Sequence, residues 1–245
     1  MTPAPIHLAG ERLMLDPAGV LAWPSRRLLA VADLHLEKGS HFAAAGRGLL
    51  PPYDTRETLD RLRHALTRWR PARLVLLGDS FHDAAGAVRL PTGEAALLRR
   101  MLEGIGVVWV LGNHDPTPPA GLPGTATEEW VDGAMVFRHQ ARPGPVLGVE
   151  ISGHFHPKAT MATRAGGITR PCFVADARRV MLPAFGAYTG GLDAAELAIA
   201  SLFPRGARAF LLGRDRLFSM PTAARRPAAA VRQAAAGPRG ADFGG

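Results

Sequence analysis

Four short clusters of carboxylate, imidazole and amide side chains stand out: Asp33-Leu34-His35, Gly78-Asp79, Gly112-Asn113-His114-Asp115 and Gly153-His154-Phe155-His156. Carboxylate oxygen, imidazole nitrogen and amide oxygen, with no thiolate, suit borderline or hard divalent ions such as Mn2+, Fe2+ or Zn2+. A bridging carboxylate holds two such ions side by side. Together they activate a water and clamp the oxygens of an in-line displacement at phosphorus. Residues i and i+2 of an extended chain point to the same side. Asp33 and His35 are therefore expected to face one point, as are His154 and His156. Gly78, Gly112 and Gly153 each precede a candidate ligand, where a missing side chain permits a sharp turn and a close approach.

The clusters sit at the ends of apolar runs. Leu28–Ala32 ends at Asp33, Leu74–Leu77 at Gly78-Asp79, and Val107–Leu111 at Gly112-Asn113. Short runs rich in Val and Leu suit strands buried on both faces. Tyr53–Trp69 places Leu59, Leu62 and Leu66 on one helical face. Glu94–Leu102 reads as a second helix with Thr92 as its N-cap. Strands alternating with helices imply a layered α/β fold, in which ligands gather outside the carboxyl ends of strands.

The second half predicts shorter strands at Ala134–Arg138, Val146–Ser152, Thr169–Ala175 and Arg179–Leu182. Asp193 is expected to cap a helix through Ser201. Ala207–Leu212 and Arg216–Phe218 read as a closing hairpin across Gly213-Arg214-Asp215. From Pro221 the chain is nearly all Ala, Arg, Pro and Gly, with Arg225, Arg226, Arg232 and Arg239 making it basic. Such a segment has too few large apolar groups to offset its ordering entropy, so residues 221–245 are expected to be a disordered tail. The domain is expected over residues 1–220.

The composition fits this reading. With 245 residues, 47% apolar and 20% charged, the chain can bury a core as one large domain or two small ones. No apolar run approaches membrane-spanning length, and no signal-peptide pattern opens the sequence. Cys172 is the only cysteine, which excludes an internal disulfide and cysteine-ligated zinc. A reducing cytoplasm is the expected home. The net charge of +8 favours polyanions. Only Lys38 and Lys158 are lysines, so the same excess of arginine fits a GC-rich genome equally well.

In order, D-x-H, G-D, G-N-H-D, an isolated His and G-H-x-H make the chain resemble the calcineurin-like metallophosphoesterases. Further stretches resemble the PdeM subgroup of ligase-associated DNA damage response endonucleases: Gly10-Glu11, Ala32 to Gly39, Gly78 to Asp83, and Leu182-Pro183-Ala184-Phe185-Gly186. The similarity covers about Ile6 to Pro221. It implies a four-layer α/β/β/α sandwich with two mixed β-sheets and a dimetal site at the strand ends.

The resemblance also implies the roles. Asp33, His35, Asp79 and His156 would bind one metal. Asp79, Asn113, His139 and His154 would bind the other, with Asp79 bridging; His139 is chosen because it ends the run Ala134–Arg138. His114 would sit over the phosphate and help protonate the leaving oxygen, with Asp115 orienting it or holding it charged. A metal-bridging hydroxide would attack phosphorus. The resemblance favours two Mn2+ ions, with Fe2+ or Zn2+ as alternatives. It implies DNA, preferably single-stranded, as substrate in DNA repair, and a DNA ligase and a helicase, encoded nearby, as partners. The alternatives are a phosphodiesterase or phosphatase for small nucleotides, and a metal-bound scaffold with weak catalysis. Many family members read G-D-x-x-D, whereas His82 here stands at the fifth position and the acid falls at Asp83. His82 is then a neighbour of the ligands, a substrate contact or a packing residue. His41 and His64 are expected at the surface and His7 to be structural. Cys172, Trp69, Trp109 and Trp130 are expected in the core. Arg47, Arg138 and Arg142 are either phosphate contacts or solvated charges.

Overall fold

A computed structural model describes residues 1–46, 53–164 and 166–222. Two mixed sheets pack face to face. The first runs β1 (Ala4–Leu8), β2 (Glu11–Leu15), β3 (Leu21–Trp23), β4 (Leu28–Ala32), β5 (Arg73–Leu77), β6 (Gly106–Val110), β7 (Thr125–Thr127) in spatial order. β1 to β4 pair antiparallel, and β4 to β7 pair parallel.

The second sheet is built from β8 (Glu129–Asp132), β9 (Met135–Arg138), β10 (Val149–Ser152), β12 (Gly166–Ala175), β13 (Arg179–Met181), β14 (Arg208–Leu212) and β15 (Leu217–Pro221). Its order is β15-β14-β12-β13-β10-β9-β8, and β11 (Lys158–Thr163) adds to β12. β9, β10 and β13 are mutually parallel.

The burial of β4 explains the layering. All five residues are buried, and successive side chains point to opposite faces. Leu28, Ala30 and Ala32 join the core between the sheets with Phe137, Ile151 and Phe173. Leu29 and Val31 join the outer core with Leu59, Leu62 and Leu66 of α2 (Asp54–Trp69) and Leu98 and Leu102 of α4 (Thr92–Leu102). Each such Leu or Phe stabilises the fold by roughly 1.5–3 kcal/mol. α1 (Lys38–Ala44) and α3 (Gly86–Arg89) lie between β4 and α4 in the chain. The outer face of the second sheet carries a third core around Cys172, Val174 and Phe203. Its helical layer, among the described residues, is one turn, α5 (Leu197–Ala200).

Local differences from the expectations have physical causes. Pro91, not Thr92, is the N-cap of α4, and its carbonyl accepts the Ala95 N–H at 2.9 Å. Asp193 does not cap α5. Its carboxylate accepts the Ala195 N–H at 2.9 Å in a turn, and Glu196 occupies the cap position. The expected helix through Ser201 is thereby cut to a single turn. β15 ends at Pro221; of the expected tail, residues 223–245 lie outside the described residues, as does Arg47.

Candidate metal centre

Five strand ends converge on one edge. The registers align Ala32 with Leu77 and Leu77 with Val110, so Asp33, Gly78-Asp79 and Gly112-Asn113 emerge side by side. In the second sheet Ile151 lies beside Phe137, which brings His139 and Gly153-His154 out together. The segment after β13 ties the two sheets at this edge. Ala184 bridges to Ala32, Phe185 N–H donates to the Ala32 carbonyl at 2.8 Å, and Gly186 N–H donates to the Asp33 carbonyl at 3.0 Å.

The backbone here is not extended. Asp33, His35, Asp79, His154 and His156 have φ values of 54°, 45°, 45°, 73° and 48°. Asp33 and His35 do converge, but through left-handed residues rather than through strand alternation, whereas His154 and His156, expected to face one point, turn to different groups. A non-glycine residue in this region costs on the order of 1–3 kcal/mol and persists where surrounding bonds over-determine it. Those bonds include His35 N–H to the Asp79 carbonyl at 2.8 Å and Gly153 N–H to the His139 carbonyl at 2.9 Å.

Two groups of donors result. In the first, Asp33, His35 and His156 offer ligand atoms within 4.8 Å of one another. His35 Nε2 faces His156 Nε2 at 3.2 Å. Asp33 is completely buried, and its Oδ1 has no hydrogen-bond partner among the described residues. Its Oδ2 accepts the His154 N–H at 2.9 Å. In the second, Asp79, His139 and His154 converge in the same way. His139 Nε2 lies 3.0 Å from His154 Nδ1, 2.9 Å from Asn113 Oδ1 and 3.3 Å from Asp79 Oδ2. Asp79 Oδ2 also faces His35 Nε2 at 3.9 Å, so it stands between the groups.

A buried carboxylate oxygen with no hydrogen bond, set among imidazole nitrogens that face one another and a second carboxylate, is a costly grouping that a cation would compensate. The residues present therefore fit a pair of divalent ions. His139 Nδ1 also approaches the Leu77 carbonyl at 3.2 Å; such a bond to a ring N–H leaves Nε2 free to coordinate. The packing has no room for side chains between the walls. A Cβ on Gly153 would lie 2.5 Å from Asp33 Oδ2, and one on Gly112 would overlap Asp79.

The charges are shifted accordingly. Burial works to raise the Asp79 carboxyl, but the hydrogen bond and charge of His139 outweigh it and hold it below its usual range. Burial works to lower His139, and its bond to Asp79 and the Asp33 charge lift it above the usual value. His35 is pushed down to about 2 by burial, then by His156. His154 is lowered by burial, then by His139.

His114 is exposed beside both groups. Its backbone N–H donates to Asp79 Oδ1 at 2.9 Å, and its Nδ1–H donates to the His82 carbonyl at 2.8 Å. The Asp115 pairing expected for it is not made. Asp115 accepts the Phe81 N–H at 3.1 Å and the Gly112 N–H at 3.2 Å, stapling the β5 and β6 loops together. Burial raises this carboxyl to about 6, against the Phe81 bond and aided by the Asp79 charge.

Other expectations divide. Arg138 is not a free phosphate contact, because it pairs with Glu129 at 2.8 Å and Glu150 at 3.2 Å. Arg142 reaches Glu129 at 3.4 Å. His64 is exposed, and Cys172 and Trp109 are buried. His41 is not a plain surface residue: its Nδ1 lies 2.5 Å from Asp83 Oδ2. His82, left open by the sequence, lies with its Nδ1 3.3 Å from His35 Nδ1 and groups with His35 and His114. Its place at the fifth position of G-D-x-x-D was the signal for both.

Residues 26–162 match the family described as calcineurin-like phosphoesterase. The crystal structure of the nuclease MPE from Pseudomonas putida is similar, with 28% identity and a TM-score of 0.69, over 89% of this chain and 100% of that one. Yfce, a phosphoesterase from E. coli, matches with 14% identity and a TM-score of 0.41, over 79% of this chain and 97% of that one. No curated protein aligns significantly with the sequence. No described helix is long and apolar enough to cross a membrane.

Proposed function

Because the chain belongs to the calcineurin-like phosphoesterase family, a family of metal-dependent phosphoester hydrolases, we propose that it is a DNA endonuclease. The observation that carries the reading is the position of Asp79, shared between two groups of lone-pair donors at the strand ends. Asp33, His35, Asp79 and His156 would hold one divalent cation; Asp79, Asn113, His139 and His154 would hold the other. When bound, such a pair supplies Lewis-acid charge at the phosphoryl oxygens and an activated water. Mn2+ suits this set of oxygen and imidazole donors.

The chain's own residues do the rest. His114 is exposed, and because its Nδ1–H is committed to the His82 carbonyl, Nε2 is the nitrogen left to exchange a proton. A proton on that Nε2 would pass to the leaving oxygen as the P–O bond breaks. Asp115 would set the spacing of the two loops that carry Asp79 and Asn113.

The nucleic-acid substrate is supported by the likeness to the Pseudomonas putida nuclease and by the net charge of +8. The finer reading is single-stranded DNA cut in the course of cytoplasmic DNA repair, as in the PdeM subgroup, alongside a ligase and a helicase. The test is nicking of covalently closed single-stranded circular DNA with Mn2+, with His114→Ala as the control for contaminating nuclease. A circle has no ends, so linear product made by the wild type and not by the variant supports an endonuclease. Intact circles from metal-loaded protein would overturn the DNA reading and leave a small phosphoester as substrate.

A further inference from the structure

The catalytic reading of His114 leaves a question of geometry. The ring is exposed, and its Nδ1–H donates to the carbonyl of His82 at 2.8 Å. The His82 ring also stacks on the His114 ring, with centroids 5.1 Å apart and planes at 24°. The direction of His114 Nε2 is therefore set by His82, and His82 lies in a loop between β5 and α3.

A peptide unit is planar, so the carbonyl of His82 and the N–H of Asp83 turn together. Holding Asp83 restrains that peptide and with it the acceptor of His114. Asp83 is held from two helices. Arg89 of α3 forks onto it, with one guanidinium nitrogen 2.9 Å from Oδ1 and the other 2.7 Å from Oδ2. His41 of α1 meets Oδ2 at 2.5 Å. Arg89 Nε also reaches Ser40 Oγ at 3.3 Å, so α1 and α3 are tied through the same group. The Asp83 carboxyl lies well below its usual range, chiefly through the Arg89 hydrogen bonds. On the ring side, Phe42 stacks on His82 with centroids 5.8 Å apart at 28°, and His41 meets His82 edge-on with centroids 4.9 Å apart.

We propose that His41, Asp83 and Arg89 form a clamp that positions His114, acting through the His82 peptide and ring. None of the three touches substrate or metal in this account; they are positioning residues. The inference rests on the reading of His114 as the group that protonates the leaving oxygen. The bidentate fork suits the task because it fixes orientation as well as distance, which a point charge does not. The side chains are between 25% and 34% exposed. None of the three belongs to a hydrophobic core, so removal of the clamp should leave the fold standing, which circular dichroism of each variant checks.

The test compares Arg89→Ala, Arg89→Lys and Asp83→Asn with wild type on two phosphodiesters. One has a nitrophenolate leaving group, which departs without a proton; the other has an alkoxide leaving group, which needs one. Arg89→Ala should lose about tenfold in kcat on the alkoxide ester and less than about twofold on the nitrophenolate ester, a small version of the His114→Ala pattern. KM and metal content should be unchanged. Arg89→Lys should recover only part of the loss. An equal loss on both esters, or no loss on either, overturns the clamp. A second readout does not depend on turnover: the 15N resonances of His114 in the diamagnetic Zn2+-loaded protein. A wild-type ring protonated at Nδ1 that becomes a tautomer mixture in Arg89→Ala supports the clamp; an unchanged ring overturns it. If wild type cleaves neither ester, the phosphodiesterase reading fails by itself, and the His114 resonances still decide the clamp.

Discussion

His139 Nε2 lies 2.9 Å from the amide oxygen of Asn113. The oxygen can only accept, and the other nitrogen of the ring already faces the Leu77 carbonyl. Something positive must therefore stand at Nε2: a proton in the metal-free protein, or a cation in its place. Asp79 Oδ2 and His154 Nδ1 close around the same point.

Cation binding should consequently release protons. In the metal-free chain His139 is raised, because its bond to Asp79 and the Asp33 charge outweigh burial. A raised imidazole contributes stability that is fully present below its unfolded value of about 6.5 and is lost as pH rises through the folded value. Bound metal must displace that proton, so affinity should fall as pH falls. Calorimetric titration with Mn2+ in buffers of different ionisation enthalpy should detect net proton release at pH 7. Binding with no exchange of protons would contradict the assignment of His139.

Asp79 and His114 should fail in different ways. Asp79→Ala removes the carboxylate shared by both groups, so metal content and turnover should fall together. His114→Ala should keep its metal and lose turnover by about 10^2–10^4-fold. Metal analysis alongside kinetics separates the two. Wild-type turnover in Asp79→Ala would remove the basis for the site.

Gly153→Ala should damage the centre without unfolding the sheet. The added Cβ would lie 2.5 Å from Asp33 Oδ2 and 2.7 Å from Ala32 Cβ, so the carboxylate must move. Metal affinity should drop while the circular dichroism of the protein stays native. Undiminished affinity would mean that Asp33 does not need its present position.

Glu150 serves the frame and not the chemistry. It is 1% exposed and accepts Arg179 Nε at 2.7 Å, while Arg138 reaches its other oxygen at 3.2 Å. Glu150→Ala removes the carboxylate partner of the buried Arg179 charge and leaves it only the carbonyls of Leu202, Arg142 and Gly144, which should cost about 3–5 kcal/mol. Denaturant unfolding should show the loss, and a change below about 1 kcal/mol would mean that the pair is dispensable.

The sequence made the strand ends legible because runs such as Leu28–Ala32 are buried on both faces, and few other environments select five apolar residues in a row. It also brought His139 into the cluster, through its place after a strand-like run. Other features were hidden for particular reasons. β1 and β2 face solvent on alternate residues, so their apolar signal is diluted; the Ala9-Gly10 turn between them was the clue. The left-handed φ of Asp33 and His156 leaves no trace in residue type, since neither is glycine. The contacts of His41 and Asp115 are not legible in the sequence because their partners, Asp83 and the Phe81 amide, lie 42 and 34 residues away in the chain.

Asp79 is proposed to be shared by two cations. The most direct test is anomalous diffraction from crystals of the Mn2+-loaded protein. Two peaks are expected: one among Asp33, His35 and His156, the other among Asn113, His139 and His154, with the Asp79 carboxylate bound to both. A single peak, or two that do not share Asp79, would contradict that sharing.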